Sequence, residues 1–78
     1  MIDDDPLLVT WTIYDHPTDF PDCYVALKWL VKKSGAVLTG EALASADISD
    51  LRRELYRRGL IRVLRHPKAD PNIVETWL

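Results

Sequence analysis

The sequence has one cysteine, one methionine, three glycines and two histidines, and no apolar run approaching the ~20 residues that a bilayer-spanning helix needs. A lone cysteine, Cys23, cannot form an internal disulfide, which suits a reducing compartment. The opening, MIDDDPLLVT, carries acids where a secretory signal carries basic residues. We therefore expect a cytoplasmic protein that does not associate with a membrane.

The chain also lacks the residue spacings of common catalytic and metal sites. Its glycines are scattered, so there is no glycine-rich phosphate loop. Structural zinc sites use paired cysteine or histidine spacings, whereas His16 and His66 each precede a proline in a loop. Cys23 and His16 could act together only if the loop between them folded back, and a small domain offers little cleft. We expect no cofactor, no metal and no catalysis, and a minor enzymatic or metal role is the weaker alternative.

Charge is distributed unevenly along the chain despite a net charge of −2. Residues 1–23 contain six aspartates and no lysine or arginine, and residues 52–78 are rich in arginine. The basic end could meet an acidic partner, or the two ends could attract each other within the fold. Residues 1–7 are predicted to be a flexible acidic tail.

Alternating apolar and polar residues predict strands. Val9, Trp11 and Ile13 share one face of the first predicted strand. Ser34-Gly35 favours a tight turn after the second strand, and Gly40 favours a bulge or bend in the weaker third strand. The predicted strands are 8–14, 24–33, one within 37–46, 60–65 and 73–78.

One amphipathic helix is predicted in the run ADISDLRRELYRRGL. Asp47 is placed to cap its N-terminus, and Ile48, Leu51 and Leu55 form one apolar stripe. Glu54 precedes Arg57 and Arg58 at spacings that favour ion pairs. Gly59 then ends the helix in left-handed geometry.

The element order β-β-(β)-α-β-β predicts a small α+β fold, with an antiparallel sheet and one helix packed on one face. Residues 1–78 leave room for one domain and one core. All three tryptophans fall on strands, as core or sheet-face residues. Burial of tryptophan-rich sheet faces in so short a chain would also favour a homodimer.

The stretch WTIYDHPTDFPDCY links the first two strands. Its prolines restrict the path, its aspartates are predicted to cap backbone amides, and Phe20 lies between Asp19 and Pro21. Such a shaped, acidic, aromatic loop suits recognition of another protein, although Phe20 could instead fill the core beneath the loop. The candidate partner-binding residues are Asp15, His16, Asp19, Phe20 and Asp22.

Nucleic-acid binding is the alternative function. Residues 48–78 read as a helix, a glycine and a hairpin, the order of a recognition helix and wing in winged-helix proteins. Residues 8–33 read as strands, however, where a winged helix needs helices. The candidate phosphate-contacting residues are Arg53, Arg57, Arg62 and Lys68.

Two long motifs resemble a family of short bacterial and prophage-borne proteins. The pattern opens with WTIYDHPxDFPxxYVARxW and closes with PxxDPxIVExWL, covering nearly all of the chain beyond residue 7. This chain departs from it at Leu27, where the pattern has arginine. The resemblance implies a single compact α+β domain, adds no catalytic residue, and suggests a phage or mobile-element accessory or inhibitor protein.

Overall fold

The computed structural model describes residues 8–63 and 71–78. The predicted acidic tail and the tip of the last hairpin, including His66 and Lys68, lie outside these ranges. Five strands form one antiparallel sheet and a single helix packs on it, which confirms the predicted α+β fold. The elements are β1 Leu8–Asp15, β2 Tyr24–Lys32, β3 Gly35–Ser45, α1 Ile48–Arg57, β4 Arg62–Val63 and β5 Ile73–Trp77.

The strand order is β3-β2-β1-β5-β4, so the first strand of the chain lies at the centre of the sheet. β1 pairs with β2 over its whole length, and its other edge pairs with the C-terminal strand, Trp11 opposite Trp77. Ile61, just before β4, and Leu78, just after β5, exchange two backbone hydrogen bonds of 2.8 and 2.9 Å. The C-terminal strand is therefore held between β1 and the segment that follows the helix.

The β2–β3 hairpin contains both predicted glycine features. Gly35 has a φ of +127° at the turn, a conformation that glycine adopts at low cost. The pairing register shifts between Leu27 and Trp29 of β2, opposite the segment of β3 that contains Gly40, whose φ is +89°. The Thr39 hydroxyl accepts a hydrogen bond from the Glu41 amide at 3.0 Å within this bulge.

The helix follows the sequence prediction closely. The Asp47 carboxylate accepts a 2.9 Å hydrogen bond from the Ser49 amide, as a capping residue does. Leu51 and Leu55 are buried on the side that faces the sheet. Gly59 has a φ of +86° and its amide donates to the Tyr56 carbonyl at 2.9 Å, which completes the C-terminal cap.

The core lies between α1 and one face of the sheet, because the apolar stripe of the helix meets the apolar positions of the central strands. Tyr24, Leu43, Ile48, Leu60 and Val74 surround it and are partly buried. The buried cluster consists of Trp11, Ile13, Ala26, Leu51, Leu55 and Trp77.

In the described part of the chain, no helix combines the length and the apolar character needed to cross a membrane.

Candidate functional site

The two faces of the sheet differ in chemistry. We call the face that packs on α1 the helix face and the opposite one the open face. Directly paired residues of antiparallel strands share a face, so the register assigns the side chains. The open face consists of Leu8, Thr10, Thr12, Tyr14, Val25, Leu27, Trp29, Val31, Ala36, Leu38, Ala42, Ala44, Val63, Ile73 and Thr76.

No residue assigned to the open face by the described pairing is charged. The helix face, by contrast, carries ion pairs such as Lys28 with Glu41 at 3.2 Å and Arg52 with Glu75 at 2.9 Å. An antiparallel sheet with one face in water normally shows polar residues there. Here the polar side chains are three threonines and Tyr14, and Thr12 and Val25 are buried. Exposed apolar residues grouped on an uncharged face mark a candidate interaction site.

A groove of about 380 Å³ crosses the open face beside the β1–β2 loop. Phe20 and Leu38, which both line it, are 52% and 48% exposed. Leu38 lies directly opposite Trp29 in the pairing of β3 with β2. The lining is almost wholly apolar and comprises Tyr14, Pro17, Asp19, Phe20, Leu27, Trp29 and Leu38.

Backbone hydrogen bonds shape the loop that closes one end of the groove. The Phe20 amide donates to the Pro17 carbonyl at 2.8 Å, and the Cys23 amide donates to the Phe20 carbonyl at 3.2 Å. The Asp15 amide donates to the Asn72 carbonyl at 2.8 Å, which ties the loop to the start of β5. Backbone carbonyls thus accept these bonds, whereas the sequence predicted that aspartate side chains would cap the loop amides.

His16 holds the start of this loop. Its φ is +47°, in the left-handed region that few residues other than glycine adopt. Its Nδ1 contacts the Asp15 carboxylate, and its ring meets the edge of Tyr24 with centroids 4.8 Å apart. These contacts fix the path of the chain as it leaves β1.

The structure brings together two of the five predicted partner-binding residues. Asp19 and Phe20 line the groove, and Phe20 is exposed, so it does not fill the core. Asp15 and His16 contact each other at the base of the loop, and Asp22 is exposed outside the groove lining.

Five residues of the groove lining were not among the predicted partner-binding residues: Tyr14, Pro17, Leu27, Trp29 and Leu38. The signal available was the uncharged, uniformly apolar phase of β2, which contains Val25, Leu27, Trp29 and Val31. The other phase contains Lys28 and Lys32, yet it is the one that meets the helix through Ala26.

The candidate phosphate-contacting arginines lie away from the groove and next to carboxylates. Arg53 and Arg57 each have a side chain that is 72% exposed, and they pair with Asp50 at 3.2 Å and Glu54 at 2.8 Å. The hydrogen bonds that Arg57 donates to the Glu54 carboxylate, together with the negative charge of Glu54, raise the pKa of Arg57. Arg62 lies 3.9 Å from Glu75.

Glu75 is the one acid in the described core, with only 4% of its surface exposed. Arg52 donates to both of its oxygens, at 2.9 and 3.1 Å, and the Trp77 indole N–H donates at 2.8 Å. Burial by itself raises the pKa of Glu75, but these hydrogen bonds and the charges of Arg52 and Arg62 outweigh burial and lower the pKa below its ordinary value. Glu75 is thus an ionised, fully paired structural group.

Cys23 is half-buried just before β2, and the Nδ1 atom of His16 is engaged by Asp15. Within residues 8–63 and 71–78, no three histidine, cysteine or acidic side chains are grouped so that they could hold a metal ion.

Comparisons of the chain with protein-family models, with curated proteins and with solved structures found no match.

Proposed function

We propose that this chain is a small non-catalytic binding module that recognises another protein through its open face. The observation that carries the proposal is the absence of charge across the paired strands of that face. The exposed apolar side chains of this face are unfavourable in water, and their burial against a partner gains roughly 25 cal/mol for each Å² removed from water.

The groove supplies the features of a binding hot spot. Aromatic side chains dominate such sites because they bury a large area at a small cost in conformational entropy. Tyr14, Phe20 and Trp29 meet in the groove. The loop that presents Phe20 is already shaped by its backbone hydrogen bonds, so little order has to be gained on binding.

Leu27 gives the groove part of its apolar floor. The family pattern that this chain resembles has arginine at that position. An arginine there would place a charge on a face that otherwise has none among its paired residues, and would change the partners that it accepts. The departure at Leu27 is therefore expected to alter specificity and to leave the fold intact.

The double variant Asp19→Ala/Phe20→Ala should lose capture of the protein partner. Both residues line the groove and Phe20 is exposed, so the variant should melt within a few degrees of the wild type. The measurement is a pull-down from a lysate of the organism that encodes the chain, with the captured proteins quantified by mass spectrometry.

Ser49→Ala/Tyr56→Ala serves as the matched control, because it changes two exposed residues of the helix far from the groove. The partner is the protein retained by the wild type and the control but not by the loop variant. A folded loop variant that retains the same proteins as the wild type would contradict a role for this loop.

Nucleic-acid binding is the second candidate, favoured by the exposure of Arg53 and Arg57 on one side of the helix. It would give an affinity that falls steeply with salt and collapses in Arg53→Ala/Arg57→Ala. Both guanidinium groups already pair with neighbouring carboxylates, which reduces the charge available to phosphates. A gel shift at low salt separates the two candidates.

The cellular setting that we propose is the cytoplasm, as an accessory or inhibitor protein of a phage or mobile element. This setting rests on the lone cysteine and on the resemblance to prophage-borne proteins. Homodimerisation by burial of tryptophan-rich sheet faces stays a prediction from the sequence, and sedimentation equilibrium measures it directly.

A further inference from the structure

The outer edge of the sheet is long and open. Among residues 8–63 and 71–78, β3 pairs only with β2, so one side of its eleven residues has no neighbouring strand there. All of it is exposed except Leu43 and Ser45, which are half-buried. Proteins usually protect such edges with lysine, proline or very short strands. GAVLTGEALAS contains neither of those residues, and its one charge is Glu41.

The bulge around Gly40 divides this edge in two. Residues 39–41 depart from regular pairing, and the Thr39 hydroxyl already engages the Glu41 amide. On either side of the bulge the register is regular, from Gly35 to Leu38 and from Ala42 to Ser45. Both segments can present free backbone groups to an added strand.

The edge and the groove are continuous. Leu38 belongs to β3 and also lines the groove, directly opposite Trp29. Neighbouring strands lie about 4.8 Å apart, and alternate side chains of an added strand point to the same face. A strand added outside β3 would therefore place every second side chain beside Leu38, on the open face.

Charge indicates the chemistry of the occupant. Residues 8–23 contain Asp15, Asp19 and Asp22 and no lysine or arginine. Asp19 lines the groove and forms no ion pair with a residue of 8–63 or 71–78. The paired residues of the open face carry no charge, so the open face of a second copy would bring no cation to Asp19. A segment that contains lysine or arginine would bring one.

We infer that the partner supplies an extended segment that joins the sheet as a sixth strand along β3, an inference that rests on the proposed function. Bulky apolar side chains at alternate positions of that segment enter the groove, and a lysine or arginine next to them pairs with Asp19. Main-chain hydrogen bonds provide affinity in this mode, and the groove provides specificity.

The test uses random 12-residue peptides displayed on phage and selected on the immobilised full-length chain. The selected sequences should alternate strand-forming apolar residues with polar ones and be enriched in lysine or arginine. With a synthetic selected peptide at about ten times its Kd, hydrogen exchange of the ¹⁵N-labelled chain should slow about tenfold at alternate amides of β3. Leu38→Lys should abolish this protection, and Asp19→Asn should weaken binding and its salt dependence.

Other outcomes separate this inference from the proposed function. Peptides that shift the NMR signals of Phe20 and Trp29 without protecting β3 amides would overturn strand addition and leave the groove as the binding site. If the selected peptides bind only at Arg53 and Arg57, or if no peptide is selected, both strand addition and the groove as the binding site would be overturned. A dimer whose β3 amides are protected without any peptide would make a second copy the occupant and overturn the inference.

Discussion

Replacing Glu75 by alanine should lower the free energy of unfolding by about 2–4 kcal/mol. The carboxylate accepts hydrogen bonds from Arg52 and from the Trp77 indole. Its removal leaves the Trp77 N–H buried without its acceptor, which costs much of the desolvation penalty of that group. The Arg52 side chain is 38% exposed and can turn towards water, so the loss is smaller than for a fully buried pair. Urea unfolding followed by tryptophan fluorescence measures it.

Lowering the pH should remove the stabilisation that Glu75 gives the wild-type protein. The pKa of Glu75 is lower in the folded chain than its ordinary value near 4.5. The stabilisation is therefore fully present above about pH 4.5 and is lost as pH falls through the folded pKa. Glu75→Gln keeps the shape and an acceptor for Trp77, so it should be less destabilised than Glu75→Ala and should flatten this acid dependence.

Glu54→Ala is the control for a surface carboxylate. Glu54 pairs with Arg57 and Arg58 in water, so its loss should change stability little. Equal destabilisation by Glu75→Ala and Glu54→Ala would contradict the structural role assigned to the buried carboxylate.

Leu55→Ala should destabilise the fold by about 2–5 kcal/mol. Leu55 is fully buried in the cluster that joins the helix to the sheet, and alanine would leave a cavity there. A chain of 78 residues has a total stability of only about 4–12 kcal/mol. The change should therefore lower the melting temperature by about 10–20 °C or more, which differential scanning calorimetry measures.

Leu38→Ala makes the same chemical change on the exposed edge strand. Because Leu38 is about half exposed, its truncation should cost less than about 1 kcal/mol. The pair also separates stability from binding, since Leu38 lines the groove and Leu55 does not. Similar losses of stability in the two variants would show that the core is not where the structure places it.

Local sequence signals were sufficient for the helix and for the turns. The cap at Asp47, the stripe of Leu51 and Leu55, and the glycines at positions 40 and 59 depend on near neighbours in the chain. The order of the strands depends on distant pairing. Nothing local in LVTWTIYD shows that it lies between β2 and the C-terminal strand.

The site was harder to predict because the more apolar phase of β2, which contains Leu27 and Trp29, faces away from the helix. The alternation separates Trp29 from Ala26, but it does not show which set meets the helix. Pairing places Ala26 with Ile13 in the core and leaves Trp29 on the open face. Phe20 and Asp19 could be predicted from loop composition, whereas the groove floor required the register. Glu75 and Arg52 are 23 positions apart in the sequence, so local sequence patterns could not predict their ion pair.

The affinities of the variants Trp29→Lys and Tyr56→Lys for the partner test most directly whether the open face recognises it. Each variant replaces one aromatic residue by lysine. Trp29 lies in the groove, and Tyr56 lies on the exposed side of the helix, where it is 75% exposed. With folding of both variants verified by circular dichroism, titration of the partner identified by pull-down should give wild-type affinity for Tyr56→Lys. It should give at least a thirtyfold loss for Trp29→Lys, the roughly 2 kcal/mol typical of a hot-spot residue. Unchanged affinity in a folded Trp29→Lys variant, or a comparable loss in Tyr56→Lys, would contradict recognition through the open face.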